Sequence, residues 1–439
     1  MSDAIHGAVV LHSEQCKECA MHHVIIGTGP AGIIAAETLR KYDPHNDITV
    51  IGDEPEPPYS RMAIPYFLHN KIDETGTHLR KRDQHYDQLA IQLLNQRVLK
   101  VNPNDKTLSL NNSTVHSYNS LIVATGSRPI LPPIEGMDLP GVHNCWTLKD
   151  ARSIAALAQP NSRVLLIGAG FIGCIVLEAL ALRGVELTVV EMGDRMVPRM
   201  MNQEAGNLIK TWCVNKGINV HTSTGVTSVQ RDDDLEHPLI VNLNSGEKLE
   251  VDLVISAAGV RSNTEFLQSS GIETDQGILV DHHLKTNFDG IYAAGDVAQG
   301  RDFSTGSYQV HAIQPTASEH GRISAMNIAG DTHYYRGSFN MNVLDTLGLI
   351  SSSFGLWMGV ENGDRVTLFE PDRFRYLNLE FEGDVMVGAT SVGLTQHVGV
   401  LRGLIQNRFK LGVWKDRLIR DPSRIMEAYL AKTQLGHHR

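Results

Sequence analysis

Cysteine is scarce in this chain of 439 residues: the five stand at 16, 19, 145, 174 and 213, too few and too scattered for a disulfide framework. Long apolar runs are missing as well. No stretch approaches the roughly 20 apolar residues that span a bilayer, because the longest candidate, 347–360, is broken by serines and glycines. The first twenty residues have neither a basic cluster nor a long apolar run, so no secretory signal is expected and the protein is read as cytoplasmic. An excess of basic residues is also absent. The formal charge of −10 argues against nucleic acid or an anionic membrane surface as main partner and suits a partner with a basic docking patch. Only Cys16 and Cys19 have redox or metal spacing; a metal there needs further ligands, for which His22 and His23 are the local candidates. The pair is read instead as part of a leader over residues 1–21, with no metal.

What is present is length enough for two or three domains and a glycine pattern that organises them. His23–Ile26 is apolar and β-branched, Gly27-Thr28-Gly29-Pro30-Ala31-Gly32 follows, and a helical pattern runs on to Arg40. Strand, glycine turn and helix in this order hold a pyrophosphate: Gly27 makes the turn, Gly29 lets backbone approach the phosphates, and Gly32 lets helix and strand pack closely, with free N–H groups facing the anion. The next strand, Ile48–Gly52, ends at Asp53 and Glu54, where a carboxylate meets ribose hydroxyls.

The device occurs twice. Arg163–Ile167 leads into Gly168-Ala169-Gly170-Phe171-Ile172-Gly173, a helix follows, and the strand Val185–Val190 ends at Glu191. Two dinucleotides are implied. Glu191 accepts from ribose hydroxyls and repels a 2′-phosphate, which favours NADH over NADPH, with Arg195 near enough in sequence to soften the preference.

Further motifs carry a resemblance. Pro58-Tyr59-Ser60-Arg61 follows the first unit; Ser120–Val123 ends in Ala124-Thr125-Gly126; Ala258-Gly259-Val260-Arg261-Ser262-Asn263 closes the second unit; Ile291–Ala294 leads to Gly295-Asp296. The chain resembles the pyridine-nucleotide-dependent flavoprotein reductases, in the branch with rubredoxin and ferredoxin reductases, apoptosis-inducing factor and the nitrite reductase large subunit. The resemblance covers 22–334 well and the remainder loosely. It implies two Rossmann-like three-layer ββα domains and a C-terminal α+β interface domain, an α/β protein overall. The expected divisions are 22–143 with 264–334 for FAD, 144–263 for NADH and 335–439 for the interface domain. For FAD it implies Pro30, Ala31, Arg61, Val98, Ala124, Thr125, Gly126, Gly295, Asp296 on the ribityl chain, and Gln314, Pro315 and Thr316 at a helix start facing the flavin's pyrimidine end, where the helix dipole stabilises charge. For NADH it adds Ile172, Ala258 and Gly259, with Phe171 as a gate over the nicotinamide. Position 262 departs from the family segment, which has proline there.

Two absences then become informative. Disulfide reductases of this superfamily carry a cysteine after the first nucleotide unit, and residues 55–80 contain none; thiol-based chemistry is rejected. A lysine and a glutamate that pair near flavin N5 in many relatives fall at Tyr66 and Ile175. Losing both is coherent, since losing one would leave an unpaired buried charge costing about 3–5 kcal/mol, and a flavin without the nearby cation is expected to be a stronger reductant. The expectation is an NADH:acceptor oxidoreductase in which hydride passes to flavin N5 and electrons go on to a protein, an iron–sulfur carrier or enzyme. Alternatives are reduction of a small molecule such as a quinone or oxygen, or a binding and assembly role. Oligomers would form through the C-terminal domain, where Met341–Asp345 and Leu356–Met358 serve the core or an apolar partner surface.

From periodicity, Gln96–Val101 and Thr107–Leu110 are expected strands, Leu148–Ala158 a helix, 314 to about 329 a helix, Phe374–Phe381 with Asp384–Val387 a hairpin, Val392–Ile405 a glycine-interrupted helix, and Pro422–Leu430 a final helix.

Overall fold

A computed structural model describes residues 21–396 and 398–435; the Cys16 and Cys19 pair lies outside them. The first glycine turn sits at the end of the central strand of a five-stranded parallel sheet, ordered Ile291–Ala293, Ser120–Val123, His22–Ile26, Asp47–Gly52, Ile91–Asn95. Successive residues of the central strand point to opposite layers. Ile25 packs with Ile33 and Leu39 of the helix Pro30–Tyr42, whereas Val24 and Ile26 pack with Val98, Leu108 and Leu110 of a three-stranded antiparallel meander. Each fully buried side chain of this kind stabilises by about 1.5–3 kcal/mol.

The second unit repeats the plan. Its parallel sheet runs Asn219–His221, Glu186–Val190, Arg163–Ile167, Leu253–Ser256, Val142–Asn144, and its meander is Val226–Arg231, Leu239–Leu243, Lys248–Val251. Both units are Rossmann-like. They are joined where Ser127–Pro129 pairs antiparallel with Val260–Ser262. The helix Leu148–Leu157 starts at a reciprocal cap, Thr147 Oγ1 accepting from Asp150 N and Asp150 Oδ2 accepting from Thr147 N at 2.9 Å.

Residues from 341 on form a five-stranded antiparallel sheet flanked by the helices Val398–Gln406, Val413–Arg420 and Ile425–Leu435. Leu377, Leu379 and Phe381 face those helices. Tyr376, Leu344, Leu349 and Val392 face the second unit instead, where Asn202 Nδ2 donates to Tyr376 Oη at 2.6 Å and the Trp212 ring meets Phe374 edge-on. The segments 341–345 and 356–358 divide between core and surface: Leu344 and Trp357 are buried, and Val343 and Met358 are exposed.

The expected elements stand with four corrections, one being that the final helix, expected over Pro422–Leu430, is a 3₁₀ turn at Pro422–Arg424 followed by a helix over Ile425–Leu435. The chain turns at Gln96–Arg97, between the unforeseen strand Ile91–Asn95 and the strand Val98–Asn102. The strand Val385–Val392 continues five residues beyond the expected hairpin, because it is buried on both faces and shows no alternation. Helix resumes only at Val398.

His22 and His23 are not available to a metal. His22 uses Nδ1 on Ser117 O and Nε2 on Thr49 Oγ1, both at 2.9 Å; His23 uses Nδ1 on Ser120 Oγ at 2.6 Å and Nε2 on Asp43 Oδ2 at 2.8 Å. All four ring nitrogens are engaged, so these histidines pin the first strand to its neighbours. Among the described residues no group of three or more histidine, cysteine or acidic side chains is placed to hold a metal, and no helix is long and apolar enough to cross a membrane.

Arg183 staples the two units. Its Nε donates to Ala158 O at 2.7 Å and Nη2 to Ala155 O at 2.6 Å, at the end of the helix Leu148–Leu157, while Nη1 donates to Leu68 O at the end of the short helix Ile64–Leu68. One cation thus satisfies carbonyls left open by two helix ends. Arg183→Met is expected to lower stability by about 2 kcal/mol, read as a reduced urea midpoint; an unchanged midpoint would show the staple to be idle.

Candidate functional site

The glycine turn needs its glycines for two separate reasons. Gly27 has φ +121° and any Cβ would lie 2.1 Å from Ala124 O, while a Cβ on Gly32 would lie 1.9 Å from Gly27 O. Helix and strand therefore touch backbone to backbone, and the helix N-terminus is brought to the edge of the sheet. Gly29 has open space where its Cβ would be. That space belongs to a cavity of about 990 Å³, at the upper end of the ~300–1,000 Å³ of ligand pockets.

The cavity wall contains Gly27, Gly29, Pro30 and Ala31 of the turn, Asp53 and Glu54 after the second strand, Arg61, and Val98. Ala124, Thr125 and Gly126, then Gly295, Asp296 and Gln314, complete the expected set on its other sides. Gly32, Pro315 and Thr316 are not in the wall: Gly32 is spent on packing, and Thr316 is one of the buried residues of the helix Gln314–Ile328. Phe171, Ile172 and Ile175, from the start of the helix Phe171–Ala181 in the second unit, do reach it. Gly168, Gly170, Gly173, Glu191, Ala258 and Gly259 lie outside, around the second glycine turn.

Tyr66 departs from expectation. It does not line the cavity; it is 48% exposed, with Lys71 Nζ 5.4 Å from its ring. Met62, Ile64 and Pro65 line the cavity from this turn, and Tyr66 is turned outward. Opposite Ile175 the wall is consequently apolar, and no lysine occurs among its described residues.

Arg61 is held on every side. Nη2 donates to Glu54 Oε1 at 2.5 Å and Nη1 to Tyr59 Oη and Trp146 O, both at 2.8 Å, with the guanidinium over the Tyr59 and Trp146 rings. Glu54 also accepts from Tyr59 Oη at 2.6 Å. Its carboxylate is thus committed within the protein, leaving Asp53, 3.4 Å from Arg97, as the freer acceptor at this strand end. Asp296 is a further acid in the wall. Burial raises its carboxyl above the ordinary aspartate value, against a hydrogen bond from Ser127 and the charge of Arg61.

Several wall residues carry no motif. Arg128, paired with Glu265, enters from just beyond Ala-Thr-Gly and adds a cation; an arginine two residues after that tripeptide was the available signal. Asn144 brings a buried Oδ1 without a protein partner, a vacancy a ligand's donor would fill. Cys145 also lines the cavity, and burial pushes its thiol up to about 12, so it stays protonated and unreactive at neutral pH.

Around the second turn, Glu191 holds two backbone donors, Ala169 N on Oε2 and Gly193 N on Oε1, each at 2.7 Å. Arg195 is occupied elsewhere, by Asp194 Oδ1 at 2.6 Å and the carbonyls of Met201 and Pro198. The expectation that it softens a preference against a 2′-phosphate is not met by this geometry.

The open cradle at Gly29, the cations Arg61, Arg97 and Arg128 in the wall and the poorly solvated Asp296 fit a dinucleotide with a polyol arm, and hence FAD. The comparisons with known proteins agree. The family model for pyridine nucleotide-disulphide oxidoreductase matches residues 21–321. The NADH-dependent phenylglyoxylate dehydrogenase subunit epsilon of Aromatoleum evansii is 29% identical over 94% of this chain and 97% of its own. Rhodocoxin reductase of Rhodococcus erythropolis is 34% identical over 72% of this chain and 74% of its own. Among solved structures, a NAD-dependent persulfide reductase from A. fulgidus superposes with a TM-score of 0.82 at 27% identity, covering 90% of this chain and 78% of that one.

Proposed function

Because the chain belongs to the pyridine nucleotide-disulphide oxidoreductase family, we propose that the cavity of the first unit holds FAD, that the second unit presents NADH to it, and that electrons leave to a docked redox protein. The enzyme is an NADH-dependent flavoprotein oxidoreductase. The observation that carries the fuller reading is the shared wall, in which the helix Phe171–Ala181 of the second unit enters the cavity built on the first. The division into 22–143 with 264–334, 144–263 and 335–439 follows from the same reading.

FAD, once bound, supplies the chemistry, taking a hydride from NADH and releasing the two electrons singly. The chain supplies position and field. N–H groups of the first turn and Arg128 meet the pyrophosphate, Asp53 meets a ribose and Asp296 the ribityl hydroxyls. The N-terminus of the helix Gln314–Ile328, fixed by Ser60 Oγ donating to Gln314 Oε1 at 2.5 Å, turns its positive end to the pyrimidine edge. Phe171 gates the nicotinamide, and Glu191 selects NADH. Met62, Pro65 and Ile175 keep one side dry and without a cation.

Cys145, the cysteine in the wall, is a neutral thiol, which supports an acceptor outside the cavity. An iron–sulfur carrier suits this role, and its reduction needs no acid or base from the chain. The test is an anaerobic NADH titration followed by flavin absorbance, then addition of a small ferredoxin. Bleaching reversed by the ferredoxin is expected; bleaching that only a quinone or oxygen reverses would overturn the protein acceptor.

A further inference from the structure

The Gly295–Asp296 turn is held at three polar atoms by side chains from three segments. His320 Nδ1, on the helix Gln314–Ile328, accepts from Gly295 N at 3.3 Å. Ser127 Oγ donates to Asp296 Oδ2 at 2.9 Å, and Ser262 Oγ donates to the Asp296 carbonyl oxygen at 2.7 Å. The two serines are partners in register across the antiparallel pair that joins the nucleotide units, and both are buried. Buried hydroxyls with a partner fix geometry, because leaving either group unpaired is costly.

Ser262 stands where the family segment carries proline, a residue with no hydroxyl. The substitution is therefore not a neutral departure. It adds a donor that reaches the main chain of the one residue assigned to the ribityl arm, while Ser127 holds one carboxylate oxygen of the same residue and leaves Oδ1 to the cavity.

We propose that Ser127 and Ser262 are positioning residues for FAD, orienting Asp296 from the two crossing strands so that its free oxygen meets the ribityl chain. The inference rests on the reading that Asp296 contacts FAD. The strand of Ser262 begins directly after Ala258–Gly259, so one side chain links the segment assigned to NADH with the flavin site.

The test measures FAD release from purified holoprotein on dilution, by the rise of flavin fluorescence, for Ser127→Ala, Ser262→Ala, their threonine counterparts and Asp296→Ala. Each alanine variant is expected to bind FAD about fivefold to tenfold more weakly, with an altered visible circular dichroism of the bound flavin. Threonine, which keeps the hydroxyl, should restore both. The unfolding free energy in saturating FAD should fall by no more than the weaker binding itself takes away, about 1–1.4 kcal/mol for a fivefold to tenfold change. If Asp296→Ala weakens binding and the serine variants match wild type, the positioning role is overturned and the cavity reading stands. If Asp296→Ala itself binds as wild type, the assignment of Asp296 falls and takes the inference with it. A larger fall without threonine rescue would show the serines to be merely structural, which also overturns the proposal.

Discussion

Gly321→Ala is expected to leave a protein with little bound flavin and an unfolding free energy lower by about 3 kcal/mol or more. A Cβ at position 321 would stand 2.2 Å from Ala31 O. The oxygen belongs to backbone and the position of a Cβ is fixed by its own backbone, so no rotamer change relieves the clash, and the helices Pro30–Tyr42 and Gln314–Ile328 must move apart. The first carries the glycine turn and the second the helix start at Gln314, so both cavity walls move together. Gly295, whose Cβ would sit 3.1 Å from Ala31 Cβ, lies in the same seam. Flavin content from the visible absorbance of purified protein, with the thermal midpoint, checks this; full flavin at the wild-type midpoint would contradict it.

The second large effect is expected at Glu191. Glu191→Ala removes the acceptor for Ala169 N and Gly193 N together with the proposed ribose contact, so the KM for NADH should rise at least about tenfold. Glu191→Gln keeps an acceptor oxygen and should lie between the two. The alanine variant should gain little with NADPH. Removing the negative charge ends the repulsion of a 2′-phosphate, but Arg195 is tied to Asp194 and two carbonyls and offers no replacement attraction. Steady-state kinetics with both nucleotides decide the matter. An unchanged KM would end the assignment of Glu191, and a strong gain with NADPH would end the reading of Arg195.

Contiguous signals were legible and convergent ones were not. Each glycine turn is written within about ten residues, with a strand before and a helix after, so its geometry follows from local sterics. The Gly-Asp turn after an apolar strand is of the same kind. Asn144 and Cys145 enter from a segment that only tertiary structure brings to the cavity, and no spacing announces them. Tyr66 points away from the cavity because the one-turn 3₁₀ segment Arg61–Ala63 precedes the short helix, and in so tight a turn the motif register does not fix the direction of a side chain. The strands Ile91–Asn95 and Val385–Val392 were missed or cut short for a different reason. The first is short and mixed, and the second is buried on both faces, which erases the alternation that marks a strand.

A cavity walled by two halves of one chain makes its ligand a structural member. A molecule seated there recognises only the assembled halves, and at one hundred times its dissociation constant it adds about 2.7 kcal/mol to their stability. The supply of flavin would then govern how long the polypeptide survives. Newly made chains that find none form the fraction open to proteolysis, and abundance would follow the vitamin status of the cell without any change in expression.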